Sequence, residues 1–214
     1  DIVQPFNKLI PGSTKAKDDI YWEGLAECYN RGLVKNVGVC NYGPTLLEKC
    51  RSTLAARGVP LASNQIAYSL LGRHDGAQET VDYCRKNGIK VLGFFPLAMG
   101  LLTGKYNRHT ASSIDGLNSL RRSRKTSLET RELEGYARNL EPLLIVIDEI
   151  AKRHGKTVSQ VALNYIICKG VIPIPGARTE QQFVDNLGAM GWRLSETEVS
   201  VLELEANKLG FGFD

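Results

Sequence analysis

The sequence contains little histidine and no recognisable metal-binding spacing. Its three histidines, His74, His109 and His154, lie in a loop, in a long irregular region and at a predicted helix end. None of them closes a predicted strand, and no paired Cys/His spacing or GxSxG segment occurs. We therefore predict no metal site, and we expect a surface or capping role for each histidine.

Long apolar runs are also missing. No stretch reaches the roughly 18 apolar residues that a membrane-spanning helix needs, so no transmembrane segment is predicted. The first residues lack the basic-then-apolar order of a secretory signal, although a processed start would have lost it. The cysteines form no CxxC pair, and their helix and strand contexts predict reduced, mostly buried thiols: Cys28, Cys40, Cys50, Cys84 and Cys168.

Charge is nearly balanced, with a formal net charge of +4. The local basic excess is the run from Arg121 to Lys125, within a long irregular insertion predicted at residues 107–139. No aromatic residues interleave this run, so nucleic-acid binding is not predicted. A lid over a ligand and a docking arm are both open interpretations of the insertion.

Short apolar runs alternate with amphipathic stretches about every 30 residues, which is typical of βα units on a parallel sheet. Strands are predicted at residues 1–4, 34–40, 61–67, 89–95 and 171–174. Helices are predicted at residues 19–31, 45–57, 78–86, 140–154, 158–168, 179–187 and 195–206. A doubly wound sheet and a (β/α)₈ barrel both give this alternation, and both bind ligands at the carboxyl ends of their strands.

Two kinds of ligand group are suggested by the residues at those strand ends. Asn41 and Gln65 each carry an amide that suits a carboxamide-bearing ligand, although a buried amide satisfied by backbone is at least as common. After the last strand, Gly176, Arg178 and Thr179 combine close backbone approach, a planar cation and a helix N-terminus, which favours a phosphate. An ordinary helix start with a surface arginine is an equal alternative.

A second candidate phosphate loop contains Gly100, Gly104 and Lys105, without the spacing of a P-loop.

Four sequence blocks then carry a resemblance. They are GVCN at 38–41, NQ at 64–65, FPL at 95–97 with GLLTGKY at 100–106, and IPGAR at 174–178 followed by Gln182, Asp185 and Asn186. In this order and spacing the chain resembles the aldo-keto reductase family. The segments ICKGVIPIPG at 167–176 and GWRLS at 191–195 are most similar to plant, algal and cyanobacterial members.

The resemblance implies a (β/α)₈ TIM barrel, here incomplete, that binds NADP(H) across its mouth and reduces aldehydes and ketones. The residues implied at the nicotinamide are Asn41, Gln65 and Phe94. Those implied along the pyrophosphate are Leu97, Gly100, Leu102, Gly104 and Lys105. Those implied at the adenosine 2′-phosphate end are Gly176, Arg178, Gln182, Asp185 and Asn186, with Arg178 selecting NADP over NAD.

The departures from the family pattern lie at the reactive end. On this alignment residues 1–214 form a single domain that starts at barrel strand four, so the family's catalytic Asp, Tyr and Lys precede it. Phe6 stands where the family has a catalytic histidine, and phenylalanine neither donates a hydrogen bond nor relays a proton. Cys40 replaces a serine, and Phe94 replaces a stacking tyrosine. No catalytic residue is therefore predicted in this chain.

Three functional hypotheses follow. The first is a catalytically impaired, structural or binding subunit of a larger plastid assembly that retains NADP(H) binding. The second is an active NADPH-dependent reductase of a small carbonyl substrate, with roughly 100–120 residues preceding this chain, judged from the size of such barrels. The third is an NADP(H)-sensing regulatory subunit. Five βα units would leave open sheet edges, so either further chain or a protein partner is expected to cover them.

Overall fold

The sheet of the computed structural model contains four parallel strands in the order β1-β2-β3-β4. The structure describes residues 18–73, 76–105 and 130–209, with only the backbone described over 130–138. The strands are β1 (Val37–Cys40), β2 (Leu61–Ala67), β3 (Lys90–Phe94) and β4 (Ile172–Pro173). Their order in the sheet is their order in the chain, which is the arrangement of consecutive units of a (β/α)₈ barrel. The predicted parallel α/β architecture is confirmed.

Helices follow the strands. They are α1 (Asp18–Asn30), α2 (Pro44–Ala56), α3 (Ala77–Lys86), α4 (Thr130–His154), α5 (Val158–Cys168), α6 (Glu180–Leu187) and α7 (Glu196–Asn207). A 3₁₀ helix, η1 (Ala98–Thr103), lies after β3. The predicted bounds of α5 match, and those of the other helices agree within one residue except at the start of α4. The predicted strand at residues 1–4, Phe6, His74 and His109 lie outside the described residues.

Two predicted boundaries differ from the structure by more than one residue. Strand β1 begins at Val37 rather than Val34, because Val37 is paired with Leu61, the first residue of β2. Helix α4 begins at Thr130, so residues 130–139, predicted to be irregular, are helical. The amphipathic pattern that predicts this helix was recognised in the sequence only from Leu140, and the residues before it gave no separate helix-start signal. The rest of the predicted 107–139 insertion, up to residue 129, is not described.

The two faces of the sheet differ in burial. On one face Val37, Ile66 and Val91 are buried against the helices and belong to the main apolar core. On the opposite face the register aligns Cys40, Gln65, Leu92 and Ile172 in one row across the four strands. Ile172 is 49% exposed, so this second face is only partly covered by the described residues.

The cysteines were predicted to be mostly buried, and the structure corrects this. All five are free thiols. Cys50 and Cys84 are buried in the core, whereas Cys40 is exposed on the open face of the sheet. Cys40 is the last residue of β1, and the described residues include no strand on the side of β1 that faces away from β2. Strand alternation turns the Cys40 side chain away from the helices.

Polar side chains fix the ends of the last helices. Thr157 and Gln160 form a capping box at the start of α5, and Ser195 and Glu198 form one at the start of α7. Thr179 caps α6, where its hydroxyl accepts a hydrogen bond from the Gln182 N–H at 3.2 Å. Each of these caps satisfies N–H groups that the helix itself leaves free. The helix N-terminus predicted at Thr179 is confirmed.

The Glu198 carboxylate also joins the end of α4 to the start of α7. It accepts from the Ser195 N–H at 2.9 Å and lies 2.9 Å from His154 Nε2, whose ring stacks near Trp192. Partial burial alone would raise the pKa of Glu198, but the Ser195 N–H, His154 and the Ser195 hydroxyl together lower that pKa to about 2. The predicted surface or capping role of His154 is confirmed by this contact with the α7 cap.

A pH-dependent loss of stability follows from Glu198. Because its pKa is lower in the folded than in the unfolded chain, its contribution is complete above the ordinary value near 4.5 and is lost as the pH falls from there to about 2. We expect the free energy of unfolding to drop by about 1–2 kcal/mol through this group over that range.

Urea denaturation of the full-length protein at pH 5 and pH 3 measures this drop. Glu198→Gln should flatten the pH dependence, whereas Glu196→Gln, on the exposed first turn of the same helix, should leave it unchanged. Equal slopes for the wild type and Glu198→Gln would contradict the assignment.

Candidate cofactor site

Most of the predicted ligand-binding residues lie along one edge of the sheet, at the carboxyl ends of the strands. The Asn41 N–H, just after β1, donates to the Gln65 carbonyl of β2 at 2.7 Å. Ala67 is paired with Phe94 at the ends of β2 and β3, and the Ile174 N–H after β4 donates to the Gly93 carbonyl at 2.8 Å. The predicted nicotinamide, pyrophosphate and adenosine segments therefore follow one another in sheet order.

Asn41 is the residue at this edge with an unmet hydrogen-bonding requirement. Its backbone has φ of +59°, in the left-handed region. Its side-chain oxygen Oδ1 is buried and accepts no hydrogen bond from any residue that the structure describes. A buried acceptor without a donor costs about 1–3 kcal/mol. The site can therefore accept one hydrogen bond from an N–H or O–H group brought in from outside the described residues.

Backbone strain is concentrated at the same edge. Within the described ranges, the non-glycine residues with positive φ are Asn41, Phe95, Ala98 and Met99. One of them follows β1 and the other three follow β3. Such conformations cost on the order of 1–3 kcal/mol each and cluster at ligand-binding sites. Asparagine often adopts the left-handed backbone conformation, but nothing in the sequence indicates strain at Ala98 or Met99.

The segment after β3 contains the predicted pyrophosphate residues. Gly100 has φ of +100° and Gly104 has φ of +73°, conformations that favour glycine. Leu97 is half-buried and Lys105 is exposed. Leu102 is fully buried, and its side chain belongs to the apolar core. Only its backbone is therefore available to a ligand.

Phe94 and Cys40 lie on the open face of the sheet beside these segments. The Phe94 ring is half-buried, with its centroid 5.1 Å from that of Phe95 in an edge-on arrangement. Although Cys40 is exposed, neighbouring protein atoms partly desolvate its thiol and raise its pKa, so the thiol stays protonated at neutral pH. A flat aromatic surface and a weak S–H donor therefore lie near the Asn41 end of the site.

The adenosine-end residues surround the start of α6. Arg178 is exposed, and its N–H donates to Gln182 Oε1 at 2.7 Å. Asn186 Nδ2 donates to the Gly176 carbonyl at 3.5 Å. Gln182 and Asn186 thus hold the turn that presents Arg178, and the helix N-terminus favours an anion beside that cation.

Asp185 is tied to the neighbouring helix by a residue that sequence reasoning missed. Gln160 Nε2 donates to the Asp185 carbonyl at 2.9 Å and to Asp185 Oδ1 at 3.1 Å. The Thr157 hydroxyl lies 3.4 Å from the same carboxylate oxygen. Asp185 therefore anchors α6 on α5, and its sequence distance of 25 residues from Gln160 leaves no local signal for the contact.

Two further features are absent from the residues that the structure describes. No group of three or more histidine, cysteine, aspartate or glutamate side chains is arranged to hold a metal ion. No helix within the same ranges is both long and apolar enough to cross a membrane.

A parallel sheet whose strands lie in chain order, with polar and strained residues at their carboxyl ends, has the arrangement of part of a (β/α)₈ barrel. The chain belongs to the Aldo/keto reductase family, whose model matches residues 13–204. The predicted family membership is therefore confirmed.

Individual relatives agree with this assignment. The chain is 42% identical over 189 residues to pyridoxal reductase, chloroplastic, of Arabidopsis thaliana, covering 88% of this chain and 48% of the relative. It is 28% identical over 174 residues to L-glyceraldehyde 3-phosphate reductase of Escherichia coli, covering 78% and 47%. The chain thus spans about half the length of the relatives it matches.

Solved structures give the same result. The thermostable aldo-keto reductase Tm1743 matches with a TM-score of 0.61 and 26% identity, over 87% of this chain and 54% of that chain. An aldo-keto reductase crystallised with NADPH matches with a TM-score of 0.60 and 25% identity, over 90% and 48%.

Proposed function

We propose that this chain forms the NADP(H)-binding part of an aldo-keto reductase barrel. The observation that carries the proposal is the buried Oδ1 of Asn41, which has no hydrogen-bond partner among the described residues and fits the amide NH₂ of a nicotinamide carboxamide. The exposed Arg178 at the N-terminus of α6 fits the 2′-phosphate at the other end of the cofactor. A structural neighbour crystallised with NADPH supports the choice of cofactor.

Each group in this proposal has a distinct role. When bound, NADPH supplies a hydride to a carbonyl carbon. Asn41 and Gln65 orient the nicotinamide end through its carboxamide, while the Phe94 ring offers a face for stacking. The segment Leu97–Lys105 follows the pyrophosphate with its glycine backbone, and Arg178 discriminates between NADP and NAD by charge.

The second part of the proposal is that carbonyl reduction is impaired in this protein. Phe6, aligned with the family's catalytic histidine, cannot donate a hydrogen bond to a carbonyl oxygen. Cys40 is a weaker donor than the serine it replaces, and its raised pKa keeps it neutral. The protein would then serve as a cofactor-binding subunit rather than as a fast reductase.

A protein partner or a further segment of the chain is proposed to cover the open side. Helix α6 has no buried residue, and Phe183, Leu187 and Met190 are 55%, 47% and 63% exposed. They line an apolar groove of about 740 Å³ beside β4. Apolar surface of this kind is normally buried in a completed fold.

An active reductase is the second candidate function. It is favoured by the 42% identity to a plant protein named pyridoxal reductase. A small aldehyde would then be the substrate, and the proton would come from residues outside this chain. The same name supports a plastid location, which fluorescence imaging of the tagged full-length protein in plant cells would test.

Cofactor titration tests the proposal. Quenching of tryptophan fluorescence in the full-length protein should show saturable NADPH binding that is at least about tenfold tighter than NADH binding, a difference of about 1.4 kcal/mol. The absence of binding at millimolar NADPH would overturn the assignment.

Turnover separates the two candidate functions. We expect NADPH oxidation with pyridoxal or simple aldehydes to be slower than 1% of an ordinary rate of roughly 10 per second, and Phe6→His alone should not restore it. Reduction at ordinary rates would establish the active-reductase alternative.

A further inference from the structure

Asn64 is a fully buried polar residue immediately before the predicted ligand residue Gln65. It lies on the face of β2 that packs against the helices, with 0% exposure, and strand alternation directs Gln65 to the opposite face. Its side chain therefore cannot contact a ligand on the open face. A buried amide must be satisfied by the protein, and its partners reveal what it holds in place.

Both ends of the Asn64 amide bind the backbone of one residue, Tyr42. Asn64 Nδ2 donates to the Tyr42 carbonyl at 2.8 Å. The Tyr42 N–H in turn donates to Asn64 Oδ1 at 3.4 Å. These two hydrogen bonds are like those between paired strands, except that a side chain makes them. They fix the peptide units on both sides of Tyr42.

Asn41 is consequently held from both sides. Its own N–H is bound to the Gln65 carbonyl at 2.7 Å, and the N–H of the following peptide, that of Tyr42, is bound to Asn64 Oδ1 at 3.4 Å. Between these two anchors the backbone of Asn41 is left-handed, with φ of +59°. That conformation determines where the buried Oδ1 of Asn41 points.

We propose that Asn64 is a positioning residue for the nicotinamide end of the cofactor. It acts through the Tyr42 backbone to hold Asn41 in the left-handed conformation that aims Oδ1 at the carboxamide. The inference rests on the proposed NADP(H) binding and adds a residue that does not touch the cofactor. Loss of the clamp should weaken contacts at the nicotinamide end and leave the adenosine end unchanged.

Two ligands separate this role from a general effect on folding. NADPH occupies both ends of the site, whereas 2′,5′-ADP carries only the adenosine and 2′-phosphate groups. In the full-length protein, Asn64→Ser should raise the Kd of NADPH about 5- to 20-fold, the range expected when one or two net hydrogen bonds are lost. The Kd of 2′,5′-ADP should change less than twofold.

Asn164 provides a matched control. It is also fully buried, and its Nδ2 donates to the carbonyls of Ala189 and Trp192 at 2.8 and 2.9 Å. Asn164→Ser should lower the melting temperature as Asn64→Ser does, without changing the ratio of the two dissociation constants. If Asn64→Ser does not yield folded protein, Asn64→Asp keeps the side-chain shape, removes the Nδ2 donor and carries the same expectation.

The outcomes are distinct. A raised Kd for NADPH alone, in either folded Asn64 variant, supports the positioning role. Equal weakening of both ligands, or no weakening of either, overturns it while leaving cofactor binding intact. A wild-type protein that binds 2′,5′-ADP but not NADPH also overturns it, and one that binds neither overturns the proposed function as well.

Discussion

Replacing Arg178 by alanine is expected to weaken NADPH binding about 30- to 100-fold while changing NADH binding less than about threefold. Arg178 is exposed at the N-terminus of α6, on a turn held by Gln182 and Asn186. Charge-assisted hydrogen bonds to phosphate contribute about 1.5–3 kcal/mol, and 1.4 kcal/mol is a factor of ten. NADH lacks the 2′-phosphate, so it loses little.

Fluorescence titration of both cofactors measures the effect. Arg178→Lys is the matched variant, because lysine keeps the charge but loses the planar bidentate fork, and an intermediate loss is expected. Equal weakening of NADPH and NADH by Arg178→Ala would show that Arg178 does not recognise the 2′-phosphate. An unchanged NADPH affinity would place that phosphate elsewhere.

The second large effect is expected at Gly188, where α6 ends against α5. The backbone there has φ of −63°, which alanine adopts readily, so any cost is steric. A Cβ atom would lie 2.2 Å from Gln160 Nε2 and 2.8 Å from Gln160 Cδ. Gly188→Ala must therefore displace the Gln160 side chain, which breaks its two hydrogen bonds to Asp185.

We expect Gly188→Ala to lower the free energy of unfolding by about 2 kcal/mol, since each of these partly buried hydrogen bonds contributes about 1 kcal/mol and overpacking adds to this. Gln160→Ala alone should lose about 1–2 kcal/mol, for these two bonds and for the capping-box bond from the Thr157 N–H. Both variants should weaken 2′,5′-ADP binding, because Arg178 lies on the turn that leads into α6.

A double-mutant cycle in urea denaturation tests the cause. If displacement of Gln160 explains the loss, the double variant should be only slightly less stable than Gln160→Ala, because the clash disappears with the side chain. The Asp185 carbonyl, 3.2 Å from the added Cβ, accounts for a small remaining cost. Strictly additive losses would exclude this mechanism.

Local patterns in the sequence predicted much of the fold. Helix α5 was predicted with its observed bounds, because a polar helix-start residue directly before an apolar stretch is a local signal. The strands were found for a similar reason, since buried parallel strands are short apolar runs. The predicted start of β1 was wrong, because this boundary depends on where β2 begins. That pairing is a tertiary contact.

Residues of the candidate site could be predicted where ligand binding requires a particular residue type. Asn41 was found from its position at a strand end, and its side-chain oxygen is buried with no hydrogen-bond partner in the described part of the chain. Its supports were not found, because Asn64 and Gln160 act through residues 22 and 25 positions away in the chain. A contact of that kind arises only when the sheet and helices have assembled.

The measurement that tests the central claim most directly is a crystal structure of the full-length protein with NADPH. The account predicts the carboxamide nitrogen at about 2.9 Å from Asn41 Oδ1, the usual N–H···O distance, and the 2′-phosphate on the Arg178 guanidinium. A structure in which Asn41 Oδ1 instead accepts a hydrogen bond from another protein group, with the cofactor absent from this edge of the sheet, would contradict it.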